Sequence, residues 1–119
     1  MKEIIGAAIF KNGKVLLVQD GEEWDLPGGI KEKDESYLEF LARRINNQLE
    51  GTKIESASFY KRFDYDKSQI TVRIYRVRVR GEVRKSAETI TQWVRDYKHI
   101  PLKPITKNVL DRLKADGYI

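Results

Sequence analysis

The sequence has no cysteine, a single histidine and no long apolar run. The lack of cysteine excludes disulfide bridges and thiolate metal sites, and it is compatible with a reducing cytoplasm. His99 has no companion ligand nearby, and no serine or threonine has a neighbouring base, so a Ser-His-Asp site has no support. No segment approaches the ~20 apolar residues of a membrane span. The opening residues are too quickly interrupted by charge for a signal peptide, so we expect a cytoplasmic protein without membrane contact.

Charged residues are abundant: they make up 34% of 119 residues, against 40% hydrophobic, with a formal net charge of +5. A chain of this length is expected to form one domain, 1–119, large enough to bury its own core. The positive charge favours anionic partners, without choosing between a nucleotide, RNA and solubility alone.

Strand patterns alternate with two helical patterns. Strands are predicted at 3–10, 15–19, 24–26, 53–64, 69–83 and 88–94, and helices follow Ser36 and begin near Ile105. In the strand 69–83 the apolar parity slips between Ile74 and Val77, which predicts either a bulge near Tyr75 or a change of buried face. Strands mixed with helices in a short chain predict an α/β (α+β) layered fold.

The stretch Gly28–Gly51 dominates the sequence. Gly28-Gly29 predicts a tight turn or a close approach of the backbone to a ligand. Ser36 is a suitable helix N-cap. An apolar stripe then recurs at helical spacing, consisting of Leu38, Leu41, Ala42, Ile45 and Leu49. The helical wheel places a second, non-core face at about 240° to 340° from Leu41. That face contains Phe40, Arg44, Asn47 and Gln48.

This stretch resembles the signature of the Nudix family, G-x5-E-x7-R-E-U-x-E-E-x-G-U, where U is a bulky aliphatic residue. Gly29, Glu35, Arg43 and Ile45 match in register, and the Leu-Pro-Gly-Gly lead-in, residues 26–29, is typical of the family. The resemblance covers about a fifth of the chain closely. It implies a mixed sheet sandwiched between helices, with a signature region at about 28–51. It also implies that Glu35 and Arg43 brace the loop against the helix.

The signature is degenerate at its functional face. The resemblance implies three Mg²⁺-binding glutamates, but these positions hold Arg44, Asn47 and Gln48. Three carboxylates carry −3, whereas one guanidinium and two amides carry +1. Hard divalent cations prefer anionic oxygen ligands. We therefore expect a module that binds a nucleotide or another diphosphate-containing anion through these three residues with Gly28 and Gly29. Magnesium-dependent hydrolysis is expected to be lost or weak.

An active hydrolase is the main alternative, and whether the protein is an enzyme stays open. It would use Mg²⁺ with relocated carboxylates, for which Glu35, Glu39 and Glu88 are the catalytic candidates. Glu32 and Glu35 are weak candidates for metal ligands. Homodimer formation, common among proteins with this signature, is also left open.

A basic segment supports a second alternative, a nucleic-acid-binding module. It contains Arg73, Arg76, Arg78, Arg80, Arg84 and Lys85, with Tyr75 among them. Phosphate contacts and stacking on an aromatic ring are typical of single-strand binding. A charged strand face that only keeps the protein soluble explains the same residues.

Overall fold

The computed structural model describes residues 2–32, 34–84 and 89–119. Its strands are β1 (Lys2–Ala8), β2 (Phe10–Lys11), β3 (Lys14–Asp20), β4 (Glu23–Asp25), β5 (Gly28–Ile30), β6 (Lys53–Tyr65), β7 (Ile70–Arg80) and β8 (Thr91–Val94). Its α-helices are α1 (Tyr37–Gln48) and α2 (Pro104–Ala115). Lys85 and Glu88, both named above, lie outside the described residues. Neither α-helix in the described ranges has the length and apolar character needed to cross a membrane.

The strands form two sheets. One sheet has the order β5-β1-β7-β6, in which β1 and β7 are parallel and the other pairs antiparallel. In the other sheet β3 pairs antiparallel with β2, β4 and β8. The predicted strand 3–10 is divided at Ile9, where the chain leaves the first sheet and joins the second. The Ile9 carbonyl accepts a hydrogen bond of 3.0 Å from the amide of Leu16, which lies in β3.

Two hydrophobic cores lie on opposite faces of the sheets, because strand residues alternate between faces. Leu16 of β3 packs in the core under α1, and its neighbour Leu17 packs in the core under α2. The same alternation gives β1 one face toward each helix. The predicted mixed sheet between helices is therefore confirmed.

Helix α1 buries most of the predicted apolar stripe, since Leu41, Ile45 and Leu49 are all 0% exposed, but two of its residues differ from the prediction. Its cap is as expected, since the Ser36 hydroxyl accepts a hydrogen bond from the Glu39 amide. The expectation for Phe40 was wrong: its side chain is 1% exposed, whereas Leu38 is 57% exposed. The helical wheel assumes one contact surface, but α1 contacts β5 as well as β1 and β6. Phe40 packs in the core cluster that contains Ile5, Leu41 and Ile45, so the buried face extends beyond the predicted stripe.

The parity slip in β7 comes from a change of buried face. The strand pairs with β1 without interruption from Ile70 to Arg76. Ile74 belongs to the core under α2, and Val77 belongs to the core under α1. No bulge interrupts β7 near Tyr75. The register shifts lie in its partner β6, one of them between Phe59 and Lys61.

Tyrosine hydroxyls bind acidic side chains of α2 and of its C-terminal cap, which predicts a loss of stability in alkali. The Tyr97 hydroxyl donates a 2.7 Å hydrogen bond to Asp111. Burial, with this hydrogen bond, raises the pKa of Tyr97. The unfolded phenol loses its proton near pH 10 while the folded one keeps it, so stability falls as pH rises above about 10. Tyr97→Phe should cost about 1 kcal/mol at pH 7 and should flatten this dependence. Urea unfolding at pH 7 and pH 10.5 measures both effects.

Tyr60 provides a second test of the same effect, because burial and a hydrogen bond to Asp116 raise its pKa to about 12. Tyr60→Phe should flatten the alkaline slope in the same direction. A slope unchanged in both variants would contradict the assignment.

Candidate functional site

A groove of 860 Å³, called here the signature groove, lies between the glycine-rich lead-in, α1 and the start of α2. From the signature region it is lined by Gly28, Gly29, Ile30, Glu32, Phe40, Arg43, Arg44 and Gln48. The facing wall includes Asp20, Glu23, Asp25, Lys103 and Thr106. Of the predicted ligand-binding residues, four therefore line one groove: Gly28, Gly29, Arg44 and Gln48.

Gly28 belongs to an edge strand rather than to a tight turn. It lies opposite Gly6 in the antiparallel pair of β5 and β1. Its φ is +142°, and a Cβ there would lie 2.0 Å from the carbonyl oxygen of Ile5. Only glycine permits this approach of the two backbones. The position of β5, which lines the groove at Gly28, therefore depends on the absence of a side chain there.

The peptide groups of Gly28 are held by two side chains of α1. The Gly28 amide donates to Oε1 of Gln48 at 2.8 Å, and Nε2 of Gln48 donates to the Gly28 carbonyl oxygen at 3.2 Å. Arg44 donates to the same oxygen from Nε at 3.1 Å and from one terminal nitrogen at 3.0 Å. A glutamate at position 48 could accept from this amide but, when ionised, could not donate to the carbonyl. The amide of Gln48 is therefore matched to Gly28.

Gly29 provides the space that the Arg44 side chain occupies. A Cβ at Gly29 would lie 3.1 Å from Nε of Arg44 and 3.3 Å from its Cζ. These distances are shorter than most real contacts of a Cβ, so a larger residue would displace the guanidinium. The two glycines together fix where the charge of Arg44 lies.

Glu35 and Arg43 connect the loop to α1. Arg43 donates from Nε at 2.9 Å and from a terminal nitrogen at 2.8 Å to the two carboxylate oxygens of Glu35. This bidentate hydrogen bond lowers the pKa of the Glu35 carboxyl. The geometry is that of a brace between loop and helix, with the Arg43 side chain also lining the groove.

The other predicted residues are dispersed. Asn47 is exposed and is not part of the groove lining. Glu39 is exposed in the first turn of α1, and its backbone amide is bonded to the Ser36 cap. Glu32 does line the groove. Glu88 lies outside the described residues.

The facing wall contains residues that the sequence analysis missed. Lys103, just before α2, pairs with Asp20 and lies 3.8 Å from Asp25. The hydrogen bond to Asp20 raises the pKa of Lys103 and lowers that of Asp20. Asp25 also accepts a hydrogen bond from the hydroxyl of Thr106. No sequence motif joins these positions, because only folding brings the start of α2 beside β3 and β4.

The described residues do not fit a divalent metal at this helix face. Within 2–32, 34–84 and 89–119, no three histidine or carboxylate side chains cluster closely enough to hold one. A carbonyl oxygen that could contribute a ligand, that of Gly28, already accepts hydrogen bonds from Arg44 and Gln48. The charged group bonded to this oxygen is the guanidinium of Arg44, which repels a cation.

Neither protein-family models nor curated protein sequences give a match to this chain. Several solved structures do match it. A MutT structure from a study of Aliivibrio salmonicida and Vibrio cholerae is 18% identical, with a TM-score of 0.81 over 97% of this chain and 98% of that one.

A MutT Nudix hydrolase from Burkholderia pseudomallei is 24% identical, with a TM-score of 0.77 over 94% and 97% of the two chains. An ADP-ribose pyrophosphatase from Streptococcus suis is also 24% identical, with a TM-score of 0.70 over 98% and 92%. These likenesses extend over almost the whole chain. The protein therefore has the fold of the Nudix hydrolases.

Proposed function

We propose that the protein binds a nucleotide or another diphosphate-containing anion in the signature groove, and that metal-dependent hydrolysis is lost or weak. The solved structures of the same fold include an ADP-ribose pyrophosphatase, which supports this class of ligand. The proposal includes a cytoplasmic location, which suits a chain without cysteine. It applies equally to a monomer and to a homodimer.

The observation that carries the proposal is the placement of Arg44. Its guanidinium has five N–H donors, and two of its nitrogens are used on the carbonyl of Gly28. The remaining donors belong to a side chain that lines the groove and stays only partly buried. A planar guanidinium held in this way is suited to bidentate contact with phosphate oxygens. In this proposal Arg44 supplies a positive charge without a bound metal.

Arg44→Gln is expected to weaken binding of ADP-ribose or a nucleoside triphosphate at least about tenfold, because a charge-assisted hydrogen bond is worth roughly 1.5–3 kcal/mol. Arg44→Lys should weaken binding less than Arg44→Gln, since it keeps the charge but loses the planar fork. Calorimetry in EDTA measures both affinities. Arg112→Gln is the control, as Arg112 lies on α2 outside the groove and pairs with Asp116. Equal affinities in all variants would reject the proposed role of Arg44.

Hydrolysis is tested separately with a panel of nucleoside diphosphate-linked and triphosphate substrates in Mg²⁺ and in Mn²⁺. We expect turnover far below the ordinary enzyme range of about 1–10³ s⁻¹. Losing even one preorganised electrostatic donor costs about 10²–10³ in rate in comparable sites. Turnover within the ordinary range would reject a binding module and favour the hydrolase with relocated carboxylates, of which Glu32 is in the groove.

A further inference from the structure

A second groove, of 640 Å³, shares no lining residue with the signature groove. It lies where β2, β6, β7 and β8 come together. Its charged and hydroxyl-bearing lining consists of Lys11, Ser56, Ser58, Arg76, Arg78, Glu82 and Tyr118. Three cations therefore face one acid, and no step of the proposed function uses any of them.

The two arginines and the two serines form a compact patch on one face of the sheet. Arg76 lies directly opposite Ser58, and Arg78 lies directly opposite Ser56, across the pair of β6 and β7. Residues two apart on a strand share a face and lie about 6.6 Å apart. Guanidinium and hydroxyl groups are thus arranged side by side, and all four residues are exposed. Each of these groups can donate hydrogen bonds to an anion.

Aromatic rings position two of the cations without neutralising them. The ammonium group of Lys11 lies 6.0 Å from the centre of the Trp93 ring. The guanidinium of Arg76 lies 5.5 Å from the centre of the Tyr118 ring and donates a 3.0 Å hydrogen bond to its hydroxyl. Among the described residues none of these three cations forms an ion pair. Three cations that line one groove without ion pairs among the described residues favour a bound anion.

We propose that this patch is a second binding site, specific for a small molecule with two or more linked phosphate groups. Such a ligand would bridge Arg76 and Arg78 and accept hydrogen bonds from Ser56 and Ser58. It is distinct from the signature groove and does not depend on Arg44.

The surroundings favour a small phosphate ligand over a nucleic acid strand. One face of the Tyr118 ring is stacked on Phe10 at 5.4 Å, and Arg76 also packs on this ring. Tyr75 is buried, so its ring is closed to a base. Arg73 has the opposite parity on β7 and lies over Tyr37, away from the patch. The site thus offers charge for phosphates but few free ring faces on which bases could stack.

Trp93 lines this groove, and the only other tryptophan is Trp24, so a Trp24→Phe variant provides a local fluorescence probe. Inorganic tripolyphosphate titrated into this variant at low salt should change the Trp93 emission saturably. Adding Arg76→Gln and Arg78→Gln should weaken this binding at least about tenfold, because two charge-assisted contacts are lost. Adding Arg44→Gln instead should leave it unchanged, which separates this site from the signature groove.

The matched control adds Arg80→Gln and Arg112→Gln, which remove the same charge at exposed residues outside the groove lining. This control should bind tripolyphosphate as the Trp24→Phe parent does. Absence of saturable binding, or equal weakening in the control, would overturn the proposal. Binding of a single-stranded oligonucleotide tenfold tighter than tripolyphosphate would overturn its restriction to small phosphate ligands.

Discussion

The triple variant Arg44→Glu, Asn47→Glu, Gln48→Glu is expected to bind Mg²⁺ and Mn²⁺ at least about tenfold more tightly than the natural chain. The local charge changes from +1 to −3, and carboxylates are the ligands that hard divalent cations prefer. The same substitutions remove the Arg44 and Gln48 donors from the Gly28 carbonyl. Calorimetric titration with MgCl₂ and MnCl₂ measures the gain, with circular dichroism to verify folding.

The control for this experiment carries Asn108→Glu, Arg112→Glu and Gln92→Glu. These substitutions add the same negative charge at exposed positions outside the signature groove. A non-specific attraction of cations would appear in both variants, whereas a metal site would appear only in the first. If calorimetry detects no metal in the first variant, the functional face has been assigned to the wrong part of α1.

Gly28→Ala is expected to destabilise the fold by about 3 kcal/mol or more, or to prevent folding. The added Cβ would lie 2.0 Å from the Ile5 carbonyl oxygen and 3.0 Å from Cα of Gly6, and both of these are backbone atoms. Neither can rotate away, so β5 must separate from β1. Urea denaturation followed by circular dichroism measures the free energy of unfolding, and the expressed soluble fraction reports failure to fold.

Gly21→Ala isolates the contribution of backbone conformation. Gly21 also has a positive φ, +65°, but a Cβ there meets nothing within 4 Å. This variant should lose only about 1–2 kcal/mol, the cost of a left-handed conformation for a residue with a side chain. If the two variants are equally stable, the contact between Gly28 and Ile5 has no energetic importance.

The sequence by itself predicted the layered fold and the capped helix α1, and its resemblance to the Nudix signature predicted the pair of Glu35 and Arg43. These features depend on local chemistry. Apolar periodicity and a serine before a helix are visible along the chain, and the match of Gly29, Glu35 and Arg43 to the signature is visible there too. The absence of a carboxylate at positions 44, 47 and 48 could likewise be read without coordinates.

Tertiary structure decided the rest, because contacts between distant residues leave no local pattern. The hydrogen bond between Gln48 and the Gly28 peptide joins residues twenty positions apart, and the one between Lys103 and Asp20 joins residues eighty-three positions apart. Phe40 is buried in the core under α1, although a wheel of this one helix places it away from the apolar stripe. The second groove has the same origin: Lys11, Arg76 and Trp93 meet only when two sheets converge. The sequence thus determined which charges the protein carries, and folding determined which of them face a common space.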